Sequence, residues 1–186
     1  MSENKVQFGL KNVHYAVITY SGGTISYGTP KAIPGAVTLT LDAQGDVTPF
    51  YADNMTYYQT VANNGYSGEL EMARFPDEML QDIWGMTLGS TSKVLTENAN
   101  TEPKEFALLY QIDGDADEQY YTLYRCVGTR PAIGSATTKQ TKEPQTQSSS
   151  ITAMPVSTGN VLARTTNATP SATKTAWFNS VFVENP

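Results

Sequence analysis

Apolar and polar side chains alternate with a period of two along most of the chain, and this feature restricts the fold more than any other. Residues 37–42 read Val-Thr-Leu-Thr-Leu-Asp, and the same rhythm returns many times. Because successive side chains of a strand point to opposite faces, the alternation predicts half-buried strands. The expected strands cover 12–20, 37–42, a segment starting near 47, 56–61, 66–74, 106–112, 120–127, 150–156 and 160–166.

Short runs of turn-forming residues separate these strands. Gln44-Gly45-Asp46 is expected to turn the strand 37–42 into a partner that starts near Val47. Asn63-Asn64-Gly65 predicts a second turn with positive φ, and Asp113-Gly114-Asp115 opens a third hairpin.

Two segments are apolar beyond what one sheet face needs. Leu109 joins Leu108, and Tyr120 joins Tyr121, so this hairpin should be covered on both sides, by the core and by another element or subunit. The stretch 177–183 is rich in aromatic residues and should also pack against another part of the molecule.

One helix is expected, at 76–86. Pro76 suits an early helical position, and Asp77 and Glu78 favour the positive end of the helix dipole. The fold class predicted is mainly β, a two-sheet sandwich or barrel with this one flanking helix. We expect a single domain over 1–186, a flexible N-terminal arm at 1–8, and a polar loop at 139–150, which has no apolar residue.

Charge is unevenly distributed along the chain. The net charge is −6, and residues 42–118 hold fifteen of the eighteen acids but only three of the twelve bases. Acidic residues of one copy could therefore contact basic residues of another copy. Affinity for nucleic acid would instead need a basic stripe on the surface. With no apolar run of membrane-spanning length and no secretory leader in the sequence, we expect the protein to stay in a cytoplasm.

No arrangement of residues predicts catalysis, a cofactor or a metal. Asp113 to Glu118 resembles the start of a calcium loop, but the sixth and twelfth positions are Glu118 and Tyr124 instead of Gly and Glu. His14, the single histidine, lies in an expected strand, so a strand or interface role is favoured over that of a general base. Cys126 excludes an internal disulfide and is expected to be a small buried hydrophobe.

Glu69 and Glu71 share one face of an expected strand and have no basic partner nearby in sequence. Either this is an ordinary solvated face, or it is an acidic wall past which nucleic acid moves without adsorbing.

A family resemblance rests on an ordered series of short sequence motifs, called words here. The words are Gly-Leu-Lys-Asn-Val-His-Tyr-Ala from 9, Tyr-Gly-Thr-Pro from 27, Ile-Pro-Gly-Ala-Val from 33, Tyr-Ala-Asp-Asn from 51, Asn-Gly-Tyr-Ser-Gly-Glu-Leu-Glu from 64, Phe-Ala-Leu-Leu from 106, Leu-Tyr-Arg-Cys from 123 and Arg-Pro from 130. Over about residues 8–183 the series resembles the major tail proteins of siphophages that infect Gram-positive bacteria.

The resemblance implies a two-sheet β fold with a flanking helix and no enzyme activity or cofactor. Six copies would form a ring, and rings would stack into the tail tube through which DNA is ejected without specific binding. The implied partners are its own copies, the tape measure protein, and the tail terminator and distal tail proteins. The protein would be found in the virion tail, and in the host cytoplasm during assembly. On this interpretation Glu69 and Glu71 are candidates to face the lumen.

Two other functions remain open at this point. One is a non-catalytic β-sandwich module that binds carbohydrate or a surface, for which exposed aromatics in a concave site would be the sign. The other is a hydrolase, which would need a cleft with paired carboxylates.

The segment 47–61 is dense in aromatic residues and turn formers, and family resemblance suggests that it reaches an adjoining ring. We expect it to contact bases of another subunit; the alternative is a hairpin packed on its own sheet. The candidate inter-ring or inter-subunit residues are Phe50, Tyr51, Asp53, Asn54, Tyr57 and Tyr58, with Arg125, Arg130, Lys139 and Lys142 opposite them.

Overall fold

The computed structural model describes residues 4–137 and 143–184, and the fold is mainly β. The strands in this part of the chain are β1 (Gln7–Ser21), β2 (Thr24–Tyr27), β3 (Lys31–Ala32), β4 (Ala36–Gln44), β5 (Val47–Ala52), β6 (Met55–Val61), β7 (Gly65–Met72), β8 (Thr87–Leu88), β9 (Leu95–Thr96), β10 (Phe106–Gly114), β11 (Gln119–Gly128), β12 (Gln147–Ala153) and β13 (Leu162–Arg164). The helices are α1 (Asp77–Asp82) and α2 (Ser171–Ala176).

One large antiparallel sheet organises the chain. Its order is β2-β1-β10-β11-β12-β7-β4, with β3 paired to β1 and β13 paired to β11. Strand β11 joins two halves of the sheet, one formed by β2, β1 and β10 and the other by β12, β7 and β4. Its residues 126–128 pair with β12, and its residues 121–123 pair with β13. The pairs β5–β6 and β8–β9 form two small separate sheets.

The two halves of the large sheet enclose one main core. Leu108 of β10 belongs to the same buried cluster as Leu70 of β7 and Ile151 of β12, and all three side chains are fully buried. The alternation predicted at 66–74 is confirmed, since Leu70 and Met72 face this core. The expected mainly-β fold with sandwich-like packing is therefore what the chain adopts.

Helix α1 is shorter than the predicted helix at 76–86. It ends at Asp82, and Gly85 takes the left-handed conformation with φ +65°. Trp84 lies in the core, where its indole N–H donates to the carbonyl oxygen of Gly128 at 3.0 Å. Docking of this indole ends the helix before Met86. Helix α2 was not expected, because its six residues show no helical apolar period.

A second apolar cluster covers the opposite face of β1, β10 and β11. Leu109 and Tyr124 pack there against Trp177 and Val181 of the segment after α2. The Trp177 indole N–H donates to the carbonyl oxygen of Tyr121 at 3.3 Å. The prediction that this hairpin is covered on both sides is confirmed, and the covering element belongs to the same chain.

The segments expected to be an arm and a loop are partly structured. Asn4 Oδ1 accepts from the backbone N–H groups of Ala116 and Asp117 at 3.0 and 2.8 Å, and β1 already begins at Gln7. Strand β12 begins at Gln147, so the last four residues of the expected loop 139–150 are strand. Residues 138–142 lie outside the described part of the chain.

The pairing of β4 differs from the sequence prediction. Gln44-Gly45-Asp46 does not turn the chain back; β4 pairs with β7, and β5 continues outward to pair with β6. Residues 36–72 therefore form one long hairpin whose inner half belongs to the large sheet and whose outer half leaves it.

Candidate assembly surface

The outer half of the long hairpin, residues 45–64, is called the projecting hairpin below. Its turn is made by Asp53 and Asn54, with φ angles of 51° and 60°. Two successive positive φ angles are the signature of a type I′ turn, whose twist matches that of the flanking strands. Asp and Asn adopt this conformation more easily than other side chains do, so a tight tip forms without glycine.

Two glycines mark the place where the projecting hairpin leaves the sheet. A Cβ on Gly65, which has φ +94°, would lie 1.9 Å from the carbonyl oxygen of Ala153. A Cβ on Gly45 would lie 2.0 Å from the carbonyl oxygen of Ala62. Backbone packs so closely here that no side chain fits. Main-chain hydrogen bonds from Ala62 to Asp46 and from Asn64 to Gln44 carry the ladder through the junction.

Both faces of the projecting hairpin are exposed to solvent. From residue 45 to residue 64 every residue is exposed except Ala52, which is half-buried. Phe50 lies directly opposite Tyr58, and Tyr57 is 71% exposed. The hairpin therefore does not pack on its own sheet, and the alternative interpretation of 47–61 is wrong. Its large exposed apolar residues are Val47, Phe50, Tyr51, Met55, Tyr57, Tyr58 and Val61.

The size of this exposed surface is unusual for a chain with a well-formed core. Burying one such side chain in a partner surface would contribute about 1.5–3 kcal/mol. At about 3.3 Å per residue, the strands carry the tip about 25 Å beyond the sheet. Met55, Val47 and Val61 belong to this surface as well, although their sequence context did not single them out.

The two arginines expected to meet this hairpin are neutralised within their own chain. Arg125 binds Glu105 through two nitrogens at 2.9 and 2.7 Å, and Arg130 pairs with Glu97. The charge of each arginine is therefore compensated by a carboxylate of its own chain. Lys139 and Lys142 lie outside the described residues. The salt bridges that the structure describes are Lys11–Asp113, Lys11–Glu118, Lys31–Glu78, Lys31–Asp82, Arg74–Asp77, Arg125–Glu105, Arg130–Glu97 and Lys174–Asp117.

Glu69 and Glu71 lie on the outer face of β7, called the acidic face below. Glu71 accepts hydrogen bonds from the hydroxyls of Thr38 at 3.0 Å and Thr146 at 2.6 Å. These bonds, that from Thr146 first, hold the pKa of Glu71 below its ordinary value, so the carboxylate stays charged. The segment 132–134 borders the same face, and the two enclose a shallow groove of about 430 Å³. Neither glutamate forms a salt bridge with a residue in 4–137 or 143–184.

Neither of the two reactive side chains that the sequence singled out lies in a catalytic arrangement. The His14 ring stacks on Phe178 at 4.4 Å, and its Nδ1 lies 2.8 Å from the carbonyl oxygen of Asn12. Cys126 is fully buried in the main core, and burial raises the pKa of its thiol. The interpretation of Cys126 as a small buried hydrophobe is confirmed.

Two broader searches of the described residues gave negative results. No helix among them is long and apolar enough to cross a membrane. No group of three or more His, Cys, Asp or Glu side chains among them is placed to hold a metal ion.

The sequence matches no protein-family model, and no curated protein was found to be similar to it.

Proposed function

We propose that this chain is a self-assembling structural subunit, a siphophage tail tube protein whose hexameric rings stack into the conduit for DNA ejection. The observation that carries the proposal is the projecting hairpin. It exposes seven large apolar side chains to solvent while the rest of the chain forms a buried core. Exposed apolar patches of this kind mark interaction sites. The family resemblance of the sequence names the kind of assembly.

The shape of the aromatic surface favours assembly over carbohydrate binding. Phe50, Tyr57 and Tyr58 lie on a protruding two-stranded ribbon with solvent on both sides. A sugar-binding module presents its aromatics in a concave site, where a ligand loses most of its contact with water. A ribbon exposed on both faces fits between protein surfaces instead.

Ring dimensions are consistent with a conduit for a DNA duplex. If each of six copies gives four strands, the barrel has about 24. At about 4.8 Å spacing and about 40° tilt, its backbone diameter is about 48 Å. Side chains of about 5–6 Å on each wall still leave room for the duplex. A closed barrel also covers strand edges such as that of β4, which has no described strand on its outer side.

The acidic face gives the proposed tube a lining to which phosphates do not bind. Glu71 is held charged by two threonine hydroxyls, and Glu69 is exposed beside it. Like charges repel within about 8–10 Å at physiological salt. We propose that this face, or a strand beside it, points into the lumen.

Electron microscopy of concentrated protein tests the proposal. Wild-type protein should form rings or tubes, whereas a variant shortened between Pro49 and Tyr57 should remain a folded monomer that does not assemble. A finer pair of variants separates chemistry from length. Phe50→Ser with Tyr58→Ser removes one cross-strand aromatic pair and should block assembly. Thr48→Ser with Thr60→Ser, two residues nearer the sheet and therefore the next pair on the same face of the ribbon, should not. Tubes of normal length from the shortened variant would refute the proposal.

A further inference from the structure

A wide groove lies beside the first residues of β1. It has a volume of about 1010 Å³, and its lining includes Lys5, Val6, Gln119, Arg164 and Thr166. The backbone N–H of Lys5 donates to Asp115 Oδ1 at 2.8 Å, which fixes the main chain at the rim. Since β13 pairs Arg164 with Tyr121, the backbone of Arg164 is held by the sheet. We call it the N-terminal groove.

The N-terminal groove carries two basic side chains that form no salt bridge with a residue in 4–137 or 143–184. Lys5 and Arg164 are the charged side chains lining it, and both are exposed. Six of the ten bases in the described ranges form salt bridges within the chain. Lys5 and Arg164 belong to the other four, and they lie together. A groove that carries two such bases is suited to an acidic partner.

The tip of the projecting hairpin has the matching properties. The charged residues of the whole hairpin, residues 45–64, are two acids, Asp53 at the tip and Asp46 near the junction, and the hairpin carries no base. Its aromatic and methionine side chains supply the apolar contact that the mixed lining of the groove can accept. The hairpin of the same chain does not occupy the groove, because its tip is exposed to solvent.

We propose that the N-terminal groove receives the projecting hairpin of a second copy of this chain, with Asp53 near Arg164 and Lys5. This inference rests on the proposed self-assembly and names the receiving surface for it. It replaces Arg125 and Arg130 as the bases that meet the hairpin, because those two are already bound to Glu105 and Glu97.

Crosslinking between two differently tagged variants tests the contact directly. The chain has one cysteine, Cys126, and it is buried, so new surface cysteines react without interference. Met55→Cys, next to the tip, mixed with Arg164→Cys should give a disulfide-linked heterodimer under mild oxidation. Met55→Cys mixed with Lys104→Cys is the matched control, since Lys104 is an exposed base outside the groove. Equal crosslinking in both mixtures would overturn the inference.

Charge variants give a second, independent measurement. Asp53→Asn keeps a residue suited to the turn and removes the charge, and Arg164→Gln removes the opposite charge. Each should raise the concentration at which assembly begins by up to about fivefold, as expected for an exposed ion pair. The double variant should be no worse than either single variant, because the two changes remove the same contact.

The outcomes separate this inference from the proposed function. Wild-type tubes with no Met55–Arg164 crosslink, and with unchanged assembly in Arg164→Gln, would refute the groove and leave the tube standing. The specific crosslink without any ring or tube would support the groove and refute the tube. A double variant that is additively worse would show that Asp53 and Arg164 act separately, and would overturn the pairing.

Discussion

Two hairpins of this chain contrast sharply. The β10–β11 hairpin is buried on both faces, by the main core and by the segment after α2. Its turn is also held by other segments, because Lys174 pairs with Asp117 and Lys11 with Glu118. The β5–β6 hairpin is just as rich in aromatics, yet both its faces are open to solvent.

The difference shows that apolar content alone does not decide what a strand pair is for. In β10–β11 the same chain provides every covering element, so its hydrophobic free energy stabilises the monomer. In β5–β6 that free energy is not realised within the monomer and is available to association. Substitutions in the two hairpins should therefore separate folding from assembly.

Truncation of one large side chain in each hairpin should give the largest contrast. Leu108→Ala leaves a cavity in the main core and should lower the free energy of unfolding of the monomer by about 2–5 kcal/mol. Phe50→Ala should change it by less than about 0.5 kcal/mol, because Phe50 is 61% exposed. Urea denaturation at a concentration below that of assembly measures both values. If Phe50→Ala lowered the free energy of unfolding by more than about 2 kcal/mol, the hairpin would pack against the rest of its own chain in solution.

The junction at which the projecting hairpin leaves the large sheet should be the next most sensitive site. Gly65→Ala forces a side chain into a positive φ and against the Ala153 carbonyl. We expect a loss of about 1–3 kcal/mol in the free energy of unfolding. Gly134→Ala is the control, since a Cβ at Gly134 meets nothing within 4 Å. If both variants melt at the wild-type temperature, the close backbone approach at Gly65 is absent in solution.

The free energy of unfolding of the chain should depend measurably on pH through Glu105. Hydrogen bonds from Arg125 hold the pKa of this carboxyl below its ordinary value of 4.5, against the opposing effect of burial. The stabilisation is therefore present above pH 4.5 and is lost as the pH falls through the lower pKa of the folded state. Glu105→Gln and Arg125→Gln should each lose stability at pH 7 and show a flatter stability profile between pH 5 and 3. Profiles parallel to wild type would argue against this ion pair.

The acidic face should give the smallest effect on folding. Glu69→Lys with Glu71→Lys should change the free energy of unfolding by less than about 1 kcal/mol, because both side chains face solvent or surface hydroxyls. In the proposed tube the same variant should slow DNA ejection without preventing assembly, because phosphates would adsorb to the wall. Normal ejection kinetics would exclude these residues from the lumen.

The sequence predicted most of the strands because alternation is a local property of strands. It mispaired β4 because Gly45 has the composition of a turn, whereas its role is close backbone approach to Ala62. The turn at Asp53 and Asn54 has no glycine, so the sequence indicated a turn-rich hairpin over 47–61 without identifying the two residues that form its tip. Helix α2 was missed because its residues show no apolar period. The packing of Trp177, which follows the helix, positions that segment instead.

The candidate surface was predictable only in part. Aromatic density marked 47–61 as more than a core element needs, and the exposure of its side chains agrees with that. Its receiving surface could not be found in the same way, because Lys5 and Arg164 are far apart in sequence and meet only through β1 and β13. The sequence also could not show that Arg125 and Arg130 form salt bridges with Glu105 and Glu97.

The separateness of the projecting hairpin has an evolutionary consequence. Its apolar surface comes from one uninterrupted stretch, residues 47–61, that supplies no side chain to either buried cluster. Under the proposed self-assembly, mutations there can alter which copies recognise one another while leaving the fold of each copy untouched. Selection can therefore diversify assembly specificity in this stretch at a rate that the rest of the chain, constrained by its packing, cannot match. Related chains should differ more at the exposed positions of β6 than at the buried positions of β10 and β11.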